Sequence, residues 1–149
     1  MTLSNWQANG WLTEHLTSRQ EITDLLALAD RDLANATLAG LSADWRLAIG
    51  YNAALQSATA ALAAAGYRAG RESHHYYVIE SLKLTIGADE RLVRQLDAFR
   101  KKRNLTNYER AGAVSSHEAG ELLRLARALR QSVEAWLQQN HPGLVAPQP

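Results

Sequence analysis

An all-α fold, an up-and-down bundle of about five helices, is predicted by three observations. Apolar residues recur at steps of three and four in every convincing segment, and nowhere in strict alternation. Ser18 with Glu21, and Ser115 with Glu118, have the spacing of helix N-terminal capping boxes. Gly40, Gly66 and Gly87 punctuate the periodic stretches where helices would stop.

The elements follow in order. Residues 1–17 carry Trp6, Trp11, Leu12 and Leu16 and read as an arm with one short helix that lays its tryptophans on the body. Ser18 opens a helix to about residue 39, with Ile22, Leu25, Leu26, Ala29, Leu33 and Ala36 as its apolar face. Ser42 caps the next helix, to about residue 65. Its Ala53, Ala54, Ala58, Ala61 and Ala65 favour helix formation and let neighbours approach closely. A shorter helix over about 73–85 precedes a fourth that starts near Asp89. The last helix shows Leu122, Ala126, Leu129, Val133 and Trp136 at steps of four and three. Short connections join antiparallel neighbours. Residues 1–141 form a single domain, and 142–149, with three prolines, are expected to be a disordered tail.

Composition narrows the class of protein. At 149 residues the chain can bury a proper core, and 46% apolar with 21% charged residues is ordinary for a globular protein. The absence of cysteine excludes disulfides and thiolate metal sites. No stretch approaches the roughly 20 apolar residues of a membrane span, and no basic leader precedes an apolar run, so a cytoplasmic location is expected. The net charge of +1 gives no general pull on nucleic acid. The local balance differs: between residues 91 and 110 lie seven basic and two acidic residues. That patch reads either as an anion site or as a solvated helix end complementing the helix dipole.

The most informative stretch is Phe99-Arg100-Lys101-Lys102-Arg103-Asn104-Leu105-Thr106-Asn107-Tyr108. Leu92, Leu96 and Phe99 mark a buried stripe, and the next step of four lands on Arg103. A guanidinium on such a stripe must be paired, solvated in a cleft or used on an anion. Arg103-Asn104, with Tyr108 five residues after the arginine, resembles the motif of the HEPN family of helical domains. The resemblance covers residues 18–137 in helix order as well.

Several expectations come with the resemblance. Active members carry an Arg followed four to six residues later by a His, often with Asn directly after the Arg. They are metal-independent ribonucleases whose site forms across a dimer. Arg103, Asn104 and Tyr108 are then the catalytic candidates, and Arg100, Lys101, Lys102 and Arg103 the RNA- or phosphate-binding ones. No metal and no cofactor are implied. Arg can hold a phosphate bidentately, and an imidazole can move the proton of a ribose 2′-hydroxyl. Here Tyr108 occupies the His position, and a phenol with a pKa of about 10 is a poor base at neutral pH. This weakens the ribonuclease expectation more than that of RNA or nucleotide binding.

His74 and His75 are candidate sources of the missing imidazole. They project about 100° apart on a helix, so at most one faces the site. His117, in the first turn of the last helix, reads as exposed. Asp32 is one candidate partner for Arg103, although an exposed polar face with Asp30, Arg31 and Asn35 is the favoured reading. Tyr51-Asn52 serves either binding or packing. A plainer reading has Arg103 paired with a neighbouring helix and Tyr108 sealing the bundle end.

Two functions from different classes are therefore expected. One is a homodimeric RNA- or nucleotide-phosphate-binding protein, a degenerate ribonuclease of toxin-antitoxin type. The other is a non-catalytic helical module that regulates a partner such as a nucleotidyltransferase; an antitoxin partner belongs to the first.

Overall fold

A computed structural model describes residues 1–71, 73–108 and 112–145, without the side chains of 105–108. Within these the chain forms an all-α bundle of six helices with one small sheet. The helices are α1 (Leu3–Ala8), α2 (Arg19–Asn35), α3 (Ala43–Ala64), α4 (His74–Glu80), α5 (Glu90–Tyr108) and α6 (Ser116–Asn140). Strands β1 (Leu12–Glu14) and β2 (Tyr67–Ala69) pair antiparallel, with Leu12 opposite Ala69.

Helix α3 is the axis of the molecule. It packs on α2 and α6, and also on α4 and α5. Burial on every side explains its composition: Ala53, Ala54, Ala58, Ala60 and Ala61 are all fully buried, and only methyl-sized side chains admit so many close neighbours. At Gly50 the approach is closer still. A Cβ there would lie 2.7 Å from a methyl of Leu123 on α6. Ser57, buried within this helix, donates its hydroxyl to the Ala53 carbonyl at 3.0 Å, so this hydroxyl is not stranded.

The expected caps mostly form. Ser18, Ser42 and Ser115 each accept the backbone N–H three residues on, and Ser115 and Glu118 complete a reciprocal box. At Ser18 the box is half made, because the Glu21 carboxylate turns instead to His15 and Thr17. Helix α3 ends at Gly66, which takes φ 98°, a left-handed conformation open to glycine without a Cβ penalty. The loop before α6 is tied back to α3, with the Gly112 N–H donating to Asp44 Oδ2 at 2.8 Å.

Four sequence expectations need correction. The arm of residues 1–17 has its one short helix, α1, but then continues as a strand, β1, which pairs with β2 after α3. The helix expected over 73–85 is α4 followed by a 3-10 turn at Ser81–Lys83. The segment containing Asp32 is not simply an exposed face. Asp32 is buried and takes Arg31 Nε and Nη2 at 3.2 and 3.1 Å, and its carboxylate is not the partner of Arg103. Finally, the described part of the tail is a 3-10 turn, Pro142–Leu144, with Leu144 and Val145 packed on the body. The tryptophans lie as expected, with Trp6 buried and Trp11 stacked on Tyr77 of α4 at 5.2 Å.

Candidate functional site

The basic stretch falls on the last turns of α5, which continues through Tyr108. Val93 and Leu96 anchor this helix in the core, and the same face carries Arg100 and Arg103 beyond the apolar part. Helices α3 and α4 supply what those guanidiniums meet. Arg103 Cζ lies 5.4 Å from the ring centroid of Tyr51, and Arg100 Cζ lies 5.8 Å from that of Tyr76. Both are cation–π distances. The ring of His75 sits 6.0 Å from that of Tyr51. Tyr51 therefore joins the arginine of α5 to an imidazole of α4.

Electrostatics set the protonation states. Burial lowers the pKa of His75, and the neighbouring Arg103, His74 and Arg100 lower it further. The imidazole is thus held neutral at pH 7. Burial raises the Tyr51 phenol well above its ordinary value, outweighing the two arginines. Its hydroxyl is fully buried and has no hydrogen-bond partner among the described residues. A neutral imidazole and an unsatisfied hydroxyl beside a guanidinium form a polar cluster suited to an oxyanion with a transferable proton nearby.

The remaining candidates are dispersed. Arg100 Nε donates to Asp97 at 2.7 Å, and Lys101 Nζ lies 3.5 Å from the same carboxylate. Lys102 Nζ reaches Glu118 Oε2 on α6 at 2.7 Å, and this bond is the chief reason that the Glu118 carboxyl titrates below its ordinary range. Asn104 is exposed. The side chain of Tyr108 lies outside the described residues. His74 lines a separate cleft beneath the sheet, and its ring lies 5.7 Å from that of His75. His117 is exposed beside Glu121.

Sequence reasoning left Tyr51 undecided and gave Tyr76 no pairing with Arg100. The available signal for Tyr51 was a large polar aromatic in a helix otherwise filled with alanine. Among the described residues no group of three or more His, Cys, Asp or Glu could hold a metal ion, and no helix is long and apolar enough to cross a membrane. In comparison with known proteins, the chain matches no family model and no curated protein.

Proposed function

We propose that this chain is a HEPN-like protein that binds RNA through a phosphate at Arg103 and acts as a metal-independent ribonuclease with His75 as its proton-transfer group. The supporting observation is the convergence of the Arg103 guanidinium and the uncharged His75 imidazole on the Tyr51 ring. The 2′-oxygen attacks phosphorus as its proton passes to His75. The bond from phosphorus to the 5′-oxygen breaks, and the imidazolium returns the proton to that leaving oxygen. The products are a 2′,3′-cyclic phosphate and a free 5′-hydroxyl. Arg103 holds the charge that builds on the non-bridging oxygens. Tyr76, exposed under Arg100, offers a ring on which an unpaired base can stack. A homodimer and a cytoplasmic location belong to the same reading.

The test is cleavage of a mixed RNA pool in EDTA by wild type, Arg103→Ala, His75→Gln and Tyr108→Phe, with folding checked by circular dichroism. Loss of cleavage in the first two variants and cyclic phosphate ends in the wild type are expected. Unchanged cleavage by His75→Gln would remove its assigned role. RNA affinity unaffected by Arg103→Ala at matched salt would remove the phosphate site.

A second reading is a non-catalytic module that regulates a partner such as a nucleotidyltransferase. It is favoured by one observation: Arg100, Lys101 and Lys102 each have a carboxylate partner within the chain. It expects no cleavage by wild type and co-purification with the partner enzyme.

A further inference from the structure

A cleft of about 230 Å³ lies beneath β2, between α2, α3 and α4. Its walls are apolar, built by Leu25, Leu62, Ala63 and Val78. An apolar cavity of about 150 Å³ is enough to take benzene, so one ring or a fused pair fits here. The hydroxyl of Thr59, also in the wall, already donates to the Leu55 carbonyl at 2.7 Å.

The polar groups at the cleft restrict its occupant. Glu21 Oε1 receives both His15, at 2.7 Å, and the Thr17 hydroxyl, at 2.6 Å. Glu21 Oε2 has no hydrogen bond among the described residues. The bonds from Thr17 and His15 hold this carboxyl below its ordinary range, so it is an acceptor throughout neutral pH. Arg68, at the same cleft, carries the opposite charge and acts on Glu21 electrostatically. With one carboxylate and one guanidinium in balance, a full ion of either sign gains little. An N–H donor reaching Glu21 Oε2 gains a charge-assisted hydrogen bond.

We propose that this cleft is a binding site for a small, uncharged aromatic heterocycle with an N–H donor, of which indole is the simplest example. The site is separate from the Arg103 cluster and does not rest on the ribonuclease reading. Apolar walls supply the affinity and the free Glu21 oxygen supplies the orientation, the usual division of labour in small-molecule pockets. His74 forms part of the wall, so an occupant would sit one imidazole away from His75.

The experiment is a ¹H–¹⁵N NMR titration of the full chain with indole, 1-methylindole and phenylacetate as probes. Saturable shifts at Ala63, Ala69 and Val78 are expected with indole. About fivefold weaker binding is expected for 1-methylindole, which has no N–H, and none for the anion. Glu21→Gln should weaken indole several-fold and leave 1-methylindole unchanged. Ala63→Leu should fill the cleft and abolish both; if it fails to fold, Leu25→Trp closes the same cleft from a half-buried wall. No saturable shift up to the solubility limit of indole would overturn the site. Equal affinity for the two indoles, or persistence of binding in the filled variant, would overturn it as well. None of these readouts involves RNA, so this proposal and the ribonuclease reading fail separately.

Discussion

Replacing Tyr51 by Phe should make the protein more stable and, on the proposed reading, weaken its binding of RNA. The Tyr51 ring is fully buried beside Arg103, yet its hydroxyl has no hydrogen-bond partner among the described residues. A buried unsatisfied hydroxyl costs about 1–3 kcal/mol. Phe keeps the ring and its packing and leaves a void no larger than one oxygen. It forfeits only part of the cation–π attraction, itself worth about 0.5–1 kcal/mol or somewhat more when desolvated. A net gain of about 1 kcal/mol follows, or a rise in Tm of roughly 2–4 °C for a domain of this size. Tyr51→Leu, which removes the ring, should instead destabilise. Urea denaturation followed by circular dichroism gives the sign directly. If the hydroxyl is held for an RNA phosphate, Tyr51→Phe should also lower RNA affinity about two- to tenfold. A Phe variant less stable than wild type would show that the hydroxyl has a partner, and the functional assignment of Tyr51 would go with it.

Three more outcomes are expected. His75 is neutral in the fold at pH values where the unfolded imidazole, with its ordinary value of 6.5, binds a proton. The unfolded state then holds more protons, so stability falls as pH drops below about 6.5, and His75→Gln should flatten that slope in denaturation curves taken between pH 7 and 5. Gly50→Ala gains roughly 1 kcal/mol of helix propensity but forces a Cβ to 2.7 Å from the buried Leu123. Overpacking costs about 1–3 kcal/mol, so a lower urea midpoint is expected, and a higher one would mean that Leu123 rotates freely. Ser73 precedes α4 with φ 52° and makes no side-chain cap. Ser73→Gly should relieve about 1 kcal/mol of left-handed strain and raise Tm by a few degrees; a fall would show that the serine hydroxyl matters to the turn.

The bundle was legible because its signals are local. Capping serines, terminal glycines and the three-four period act within one turn of helix, and the order of the main helices follows from them. The sheet was not, since β1 and β2 are three residues each and meet across the whole of α2 and α3. Strands that short carry no periodicity of their own. Asp32 misled for a different reason. Its partner is the adjacent Arg31, and neighbouring residues on a helix do not ordinarily face each other. In the candidate site, the step of four that carries Arg103 off the apolar stripe was readable. So was the divergence of His74 from His75, which places one at Tyr51 and the other in the cleft. That Tyr51 lies between them and Arg103 depends on how α3 packs against α4 and α5, which no single segment encodes.

The neighbours of His75 bear on which proton transfer it can perform. A half-buried imidazole beside two guanidiniums is a weaker base than a free one, and, once protonated, a stronger acid. Neutral at pH 7, it takes the 2′-hydroxyl proton with little driving force and, once protonated, gives it up readily, so its larger effect is expected at the departing 5′-oxygen. This distinction is measurable. A dinucleotide whose leaving group is an alkoxide needs that proton, whereas a nucleoside 3′-(4-nitrophenyl) phosphate, with a far less basic phenoxide, needs it little. His75→Gln should then reduce cleavage of the dinucleotide by about 10²–10⁴-fold, the usual range for general acid–base catalysis, and cleavage of the nitrophenyl ester much less. Arg103→Ala should impair both substrates alike, because charge develops on the non-bridging oxygens in either case. Equal losses for His75→Gln on the two substrates would show that its effect lies at the 2′-hydroxyl alone and that it does not protonate the leaving oxygen.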